Sequence, residues 1–596
     1  MDDGDLDEMK YTGMSGGKLV HEALVECGVT TVFGYSGGAN LPILDQFAQD
    51  NRINFLMNRS EQCCGHAAEG YARASGKVGV VLTTSGPGLT NIITPLQDAR
   101  GDSTPIVALS GQVPMAAVGT DAFQECLAVD LTKPCTKWSY QIKSVEEVRS
   151  VVHEAFRVAS TGKRGPVHLD LPKDVMTSLL RGNGLPLPAQ PPPIPVDPHA
   201  LERVAQLLHT AKKPILYVGQ GANEAPEELL ALAEAVGCPV TTTVHAMGTF
   251  SEHHPQSMHM LGMHGAAYAN FAIQESDLII AVGSRFDDRT TGILNKYAPA
   301  AKAAHEAGTG GFVHFDIEPS QFGRVLNPTV AVAGDSKLAM QQLLPLVQGK
   351  KPLHPREPWL KRCNELKQEF PFAYTPPPGG KLKTQSAIEA VYNGLKHIEN
   401  DVVVATGVGN HQMMACQFFR WTQPRQMVTS GSLGTMGFGL PAAIGAQVAM
   451  PDKTVLLIDG DGSFNMTLND LGTLREHQLP IKIALMNDNR QQMVHVWQKL
   501  FFDGRIMATD NVNPDYVQLA ESFGIEALTV DNVDDLPGVV EKFVNAKGPV
   551  LCDFRVLPDI CLPMVAPGKG LDEMFLPGTL SLDSEVQPKM EGLAPS

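Results

Sequence analysis

Two short segments in the last third of the chain carry the residues best suited to chemistry. Gly460-Asp461-Gly462-Ser463 follows the apolar run 454–458, and Asn487-Asp488-Asn489 follows the apolar run 481–486. Such runs read as buried strands that end where the polar cluster begins. In parallel sheets, strand ends are where ligands bind. Asp461 and Asp488 offer hard oxygen ligands, and magnesium takes a few carboxylates together with a ligand's phosphates. The chemistry implied is a diphosphate held through a metal. A third carboxylate, Glu61, stands just past the run 54–57, within Arg59-Ser60-Glu61-Gln62. Taken alone it is an ordinary first-turn helix residue favoured by the helix dipole. Gly86-Pro87-Gly88 forms the next strand-end loop. Taken together, these segments supply three parts of one cofactor site: a glutamate for a heterocycle, a glycine turn open to close backbone approach, and a metal–diphosphate anchor.

The elements that must position these groups alternate between helix and strand. A helix over 18–26, strands over 30–33, 54–57 and 79–83, and a helix over 62–74 predict a doubly wound parallel α/β unit. It spans 13–185, after an acidic tail over 1–12 expected to be disordered. Six prolines between 186 and 195 predict a stiff linker. A second α/β unit, 196–350, carries strands over 214–218, 239–243, 278–282 and 312–316. A second linker is expected around 352–381. A third unit, 380–560, carries strands over 402–405, 427–429, 455–458, 482–486 and 550–554. The tail, 561–596, is expected to lie over the surface. The fold class is therefore α/β, with three doubly wound parallel sheets.

Composition narrows the partners. The 596 residues carry a net charge of −17, which argues against a nucleic-acid surface. No apolar run approaches the roughly 20 residues of a membrane helix. The ten cysteines are scattered without a CxxC, which favours free thiols.

Three motifs are set aside. Gly34-Tyr35-Ser36-Gly37-Gly38 matches the hydrolase nucleophile elbow, but so near the N-terminus it lacks the preceding strands that build the oxyanion hole. Gly13 to Lys18 is too short for a phosphate-binding P-loop and lacks its Ser/Thr. Gly219-Gln220-Gly221 is half of a dinucleotide fingerprint.

From about 12 to 576 the chain resembles thiamine-diphosphate enzymes, and among them the catalytic subunits of acetohydroxyacid synthase (acetolactate synthase), with a texture nearest the fungal branch. The resemblance rests on Phe33-Gly-Tyr-Ser-Gly-Gly-Ala39, Ala68-Glu-Gly-Tyr-Ala-Arg-Ala-Ser-Gly76, Thr84-Ser-Gly-Pro-Gly88, Gly119-Thr-Asp-Ala-Phe-Gln-Glu125, Arg285-Phe-Asp-Asp-Arg289, Gly434-Thr-Met-Gly-Phe-Gly-Leu-Pro-Ala-Ala443 and Met493-Val-His-Val-Trp-Gln498. It implies a transferase that decarboxylates pyruvate and joins the two-carbon unit to a second pyruvate or to 2-ketobutyrate, in valine and isoleucine biosynthesis.

By the same resemblance, Glu61 addresses the aminopyrimidine ring, and Asp461, Asp488 and the backbone at Arg490 ligate magnesium. Met436 bends the cofactor. Arg289 holds the second substrate's carboxylate, Trp497 favours 2-ketobutyrate, and Gln124 and Lys173 line the access channel. Residues implied around thiamine diphosphate are Ser36, Gly37, Pro87, Gly88, Gly409, Asn410, His411, Gln412, Gly434, Gly460, Gly462, Ser463 and Met493. Phe123, Met263, Asp288 and Phe501 are implied along the same access channel, with Met263 also counted as cofactor-binding; residues implied around FAD, which has no net redox role in this reaction, are Lys163, Gly219, Gly221, His264, Gly283, Arg285, Asp287 and Asp316. A homodimer or larger assembly is implied, often with a regulatory subunit. The fungal texture implies a mitochondrion, with the cytoplasm as the alternative.

The chain departs from the family pattern near the site. Ser36 stands where the family usually has Pro, Arg59-Ser60 where it has Lys-His, Cys63-Cys64 where it has small residues, and Asp488 where it has Asn. Asn489-Arg490-Gln491-Gln492 replaces Glu-Glu-Gln-Gly, and Lys163 replaces an Arg at FAD, losing the planar fork. One reading is drift with activity kept; another is a paralogue resistant to inhibitors of the housekeeping enzyme. The alternatives in function are a 2-keto acid decarboxylase or pyruvate oxidase, and a catalytically silent partner subunit.

Overall fold

The computed structural model describes residues 9–580. Three parallel sheets carry the fold. The first holds β1 (Thr31–Gly34), β2 (Asn54–Met57), β3 (Gly79–Thr83), β4 (Ile106–Gln112), β5 (Trp138–Gln141) and β6 (Val167–Pro172), in the order β2-β1-β3-β4-β6-β5. The second holds β7 (Pro214–Val218), β8 (Val240–Thr242), β9 (Ser257–Met260), β10 (Leu278–Val282), β11 (Gly311–Asp316) and β12 (Val330–Ala333), in the order β12-β11-β10-β7-β8-β9. The third holds β13 (Leu382–Lys383), β14 (Val402–Thr406), β15 (Met427–Val428), β16 (Thr454–Gly460), β17 (Lys482–Asn487), β18 (Glu526–Val530) and β19 (Val550–Leu557), in the order β13-β19-β17-β16-β14-β15, with β18 also paired to β19. Every strand pair within these sheets is parallel, as the sequence pattern predicts. The central strands are apolar and fully buried because helices cover both faces.

In each sheet the chain winds outward in both directions from one pair of strands. These switch points lie between β1 and β3, between β7 and β10, and between β14 and β16. The connections leaving the two strands there diverge, which opens a crevice at the carboxyl ends. The glycine-rich segments occupy these crevices: residues 34–38 and 84–88, residues 219–221 and 283–287, and residues 407–410 and 460–463.

The first and third sheets are joined by two crossing helices, α1 (Glu61–Ser75) and α2 (Gly439–Ala449). A Cβ built on Gly445 would stand 1.8 Å from the Ala67 carbonyl oxygen, and one on Gly70 would stand 2.0 Å from that of Ala442. Only glycine admits this approach of backbone to backbone. α1 begins where Ser60, in extended conformation, accepts from the Cys63 N–H at 3.3 Å. It ends at Gly76, whose φ of 75° is left-handed.

Under this crossing lies a buried ionisable group. His66 Nδ1 is 2.6 Å from Glu69 Oε2, and Asp98 completes a cluster within 4.8 Å. Burial pushes Glu69 well above the usual carboxylate range and His66 down to about 4, so it disfavours the charged form of both partners. Burial, then Glu69, pushes Asp98 up to about 8, against the opposing pull of Arg73.

Three stretches differ from the sequence expectation. The second linker contains a helix, Glu357–Glu369, whose Trp359, Cys363 and Leu366 enter a core of the second sheet. The surrounding prolines had masked its apolar i, i+4, i+7 spacing. The end of the chain turns inward: Ile560, Cys561, Leu562, Met564, Val565 and Leu571 are buried, and Met564–Val565 pairs antiparallel with Met574–Phe575. Of the tail expected over 1–12, Met9–Tyr11 forms a 3-10 turn and Tyr11 is buried in the first sheet's core; residues 1–8 and 581–596 lie outside the described residues.

Gly445→Ala should lower the unfolding free energy by about 3 kcal/mol or more, as an overpacked core does. Gly538→Ala, in a helix with nothing within 4 Å of the new Cβ, should raise it by up to about 1 kcal/mol. Denaturant titration of both variants measures the contrast. Unfolded carboxyls titrate near about 4. Because Asp98 and Glu69 hold protons more tightly when folded, stability is fullest below that value and falls as pH rises toward 8. Asp98→Asn should shrink the drop in melting temperature between pH 5 and pH 8.

Candidate functional site

A cavity of about 750 Å³ opens where the carboxyl edges of the sheets converge, within the range that holds a cofactor. The second sheet supplies its glycine floor. A Cβ on Gly219 would meet the Gly283 carbonyl oxygen at 2.3 Å, and one on Gly221 would meet the Gly283 Cα at 2.8 Å. Asp287 caps the short helix Asp288–Thr291 by accepting from the Thr290 N–H at 3.2 Å. Met263, His264, Arg285, Asp316 and Arg289 stand on the same wall. Lys163 reaches the cavity from the first sheet's side. Burial, then the neighbouring Arg285, lowers its amine, while Asp316 opposes them. A cationic group so placed suits an anion. From the third sheet come Gly409, Gln412, Gly434, Met493 and Trp497.

The cavity wall also contains residues that the sequence reading did not single out. Arg73 is buried, pairs with Asp102 at 2.7 Å and lies over the Phe438 ring. Asp102 accepts from the Gly431 and Ser432 amides at 2.8 Å each and lies 3.1 Å from His245 Nε2. Burial opposes its charge, yet His245, Arg73 and Ser432 hold the carboxyl well below the usual range. Arg285 donates to the Gly101 carbonyl at 2.6 Å and to the Ser432 hydroxyl. This network draws on all three sheets. Arg73 belongs to one of the motifs quoted above, but its partner is 29 positions away, beyond any local pattern.

Two further clusters stand apart from this cavity. At the first sheet's edge, a Cβ on Gly37 or Gly88 would meet the Thr84 side chain, and one on Gly86 would meet the Gln124 backbone. Ser36, Pro87 and Gln124 are exposed, and Lys173 begins the helix that follows β6. Glu61 occupies the first turn of α1, where its Oε2 accepts from Asn91 Nδ2 at 3.0 Å. At the third sheet's edge, a Cβ on Gly460 would meet His411 Nδ1 at 2.5 Å, and one on Gly462 would meet Met436 Cε at 3.5 Å. Asn410 donates to the Asp559 carbonyl at 3.0 Å, and Ser463 Oγ accepts from the Gly437 N–H at 3.0 Å. Asp461 Oδ2 accepts from Asn511 at 2.9 Å and from Asn513 at 2.7 Å. Burial, then Asp461, pushes the Asp488 carboxyl up to about 8. Two carboxylates in one low-dielectric crevice fit a divalent cation, which would relieve their repulsion. The Arg490 side chain turns away from this crevice to Asp510, 2.9 Å distant. No hydrogen bond or ion pair among the described residues joins Glu61 to the Asp461 cluster.

Comparison with known proteins decides the family. Thiamine pyrophosphate enzyme models match in three parts: the N-terminal TPP binding domain over 14–132, the central domain over 201–343 and the C-terminal TPP binding domain over 407–554. The mitochondrial acetolactate synthase catalytic subunit of Saccharomyces cerevisiae is 44% identical, over 97% of this chain and 85% of that protein. The mitochondrial acetolactate synthase of Schizosaccharomyces pombe is 43% identical, over 96% and 88%. Chloroplastic acetolactate synthase 1 of Oryza sativa subsp. japonica is 39% identical, over 94% and 88%. The chain belongs to the acetolactate synthase catalytic-subunit family. The Arg490 side chain is engaged with Asp510.

The Arg490–Asp510 pair is largely exposed. Arg490→Ala should therefore cost less than about 1 kcal/mol in denaturant unfolding. A larger loss would show that the pair organises the crevice.

Proposed function

We propose that this chain catalyses carboligation of 2-keto acids: it decarboxylates pyruvate and transfers the two-carbon unit to pyruvate, giving 2-acetolactate, or to 2-ketobutyrate, giving 2-aceto-2-hydroxybutyrate. The observation that carries the reading is that three carboxylates stand at the carboxyl ends of strands, Glu61 after β2 in the first sheet and Asp461 and Asp488 after β16 and β17 in the third. Thiamine diphosphate supplies the electron sink for the decarboxylation.

The chain's own residues do the rest. Asp461, Asp488 and the Arg490 backbone carbonyl would hold magnesium, and Gly460 and Gly462 would leave room for the diphosphate, having no Cβ. The Glu61 carboxyl would hold or release a proton at the aminopyrimidine, as a positioned acid–base group does. Arg289 and Trp497 share one wall of the cavity. They offer a guanidinium to the second substrate's carboxylate and an indole to its alkyl group. That pair favours ligation over release of a simple aldehyde. Gln124 and Lys173 line the approach. The cavity at Lys163, Gly219, Gly221 and Arg285 suits FAD as a structural group.

That no hydrogen bond or ion pair among the described residues joins Glu61 to the Asp461 cluster supports a homodimer, in which a second copy completes each site. A regulatory subunit and a mitochondrial location follow the fungal relatives.

The test is turnover on pyruvate with and without 2-ketobutyrate, adding and omitting FAD, with the products identified. Acetolactate is expected, with Glu61→Gln lowering kcat by about 10²- to 10⁴-fold. Acetaldehyde or acetyl phosphate as the main product would favour a decarboxylase or oxidase instead. Calorimetry showing no thiamine diphosphate binding would make the chain a silent partner. Adding branched-chain synthase inhibitors to the same assay reads whether the altered channel gives resistance.

A further inference from the structure

The segment that follows β16 carries more than Asp461. Nine positions later, Asp470 is fully buried just before α3 (Leu471–Glu476), and its carboxylate faces the first sheet rather than the diphosphate crevice. Its Oδ1 accepts from the Arg59 backbone N–H at 2.8 Å and from the Thr473 hydroxyl at 2.8 Å. Its Oδ2 accepts from Asn58 Nδ2 at 2.8 Å. One turn further along α3, Glu476 pairs with the Arg59 guanidinium at 2.5 Å. Asn58 and Arg59 form the strand-end loop between β2 and Ser60, the residue that caps α1 immediately before Glu61.

We propose that Asp470 is a positioning residue for Glu61: by clamping Asn58 and the Arg59 amide it fixes the loop from which α1 starts, and hence the place of the Glu61 carboxyl. This rests on the carboligase reading and adds a residue to it. The clamp works because the two Asp470 oxygens accept from the Arg59 amide, Thr473 and Asn58, with the Cys63 thiol of α1 beside them. A buried carboxylate meeting three donors is rigid, whereas the loop itself has no ladder partner beyond Met57. Burial raises the Asp470 carboxyl, and the Arg59 amide, Asn58 and Thr473 counter that. The same short segment thus presents Asp461 to one half-site and steadies Glu61 in the other. In a homodimer those half-sites serve different active sites, so Asp470 would link the two sites through one chain.

The test uses the full chain and the variant Asp470→Asn. The variant removes the charge and leaves one acceptor oxygen where Asp470 has two, so the Arg59 amide, the Thr473 hydroxyl and Asn58 can no longer all donate to it. In the cofactor-free protein, hydrogen exchange at the Arg59 amide should speed up about tenfold or more. In the protein loaded with thiamine diphosphate and magnesium, hydrogen–deuterium exchange at the thiazolium C2, followed by NMR, should slow about tenfold or more. The swap Asn58→Asp with Asp470→Asn restores donor to acceptor and should return both rates to within about threefold of wild type. Unchanged rates in Asp470→Asn, or a folded swap variant that restores neither, would overturn the proposal. If Asp470→Asn does not fold, Asn58→Ala removes one donor alone; it should show both changes in weaker form, and wild-type rates there would equally overturn it. A wild-type protein that binds the cofactor without accelerating C2 exchange fails the carboligase reading itself, and that outcome is distinguishable because no variant is involved.

Discussion

Everything at the site hangs on the contact between α1 and α2. Two helices whose glycines let carbonyl oxygens of one reach the backbone of the other cannot slide without collision. Interiors at this density transmit displacement rather than absorb it. The crossing therefore sets the angle between the first and third sheets, and with it the width of the cavity that Arg73, Asp102 and His245 line. Those three residues then tie the cavity together electrostatically. Arg73 projects from α1 itself, so the packing contact and the charged network share one helix.

The parallel sheets and the strand-end clusters were legible because both have short-range signals. β2, β3, β7 and β10 stand at the residues their apolar runs predict. The glycine loops at 34–38, 219–221 and 460–463 stand at the ends of β1, β7 and β16. What escaped the sequence has a physical reason in each case. β4 and β6 carry Ser110, Gln112, His168 and Asp170 on buried positions, where they satisfy one another, and so they do not read as apolar strands. The helix at Glu357–Glu369 hides among prolines. Asp102 and Asp470 act through partners about 30 and more than 400 positions away, and nothing local announces such pairs.

The departures from the family pattern sort by where their side chains go. The Arg490 guanidinium pairs with Asp510. Asp488 stays in the crevice, where burial and Asp461 disfavour its charged form. Cys63 and Cys64 are buried beneath the start of α1, where burial raises both thiols and keeps them unreactive.

The run from Asp461 to Glu476 has a further consequence, for how the chain can vary in length. Its two ends are pinned to different sheets, Asp461 at the mouth of the third and Asp470 with Glu476 at the loop of the first. Losing or gaining a single residue between them would put one anchor out of register whichever way the rest relaxed. The stretch 503–508, exposed throughout, has no such double tether. Insertions in this lineage should therefore accumulate in the second stretch and be absent from the first.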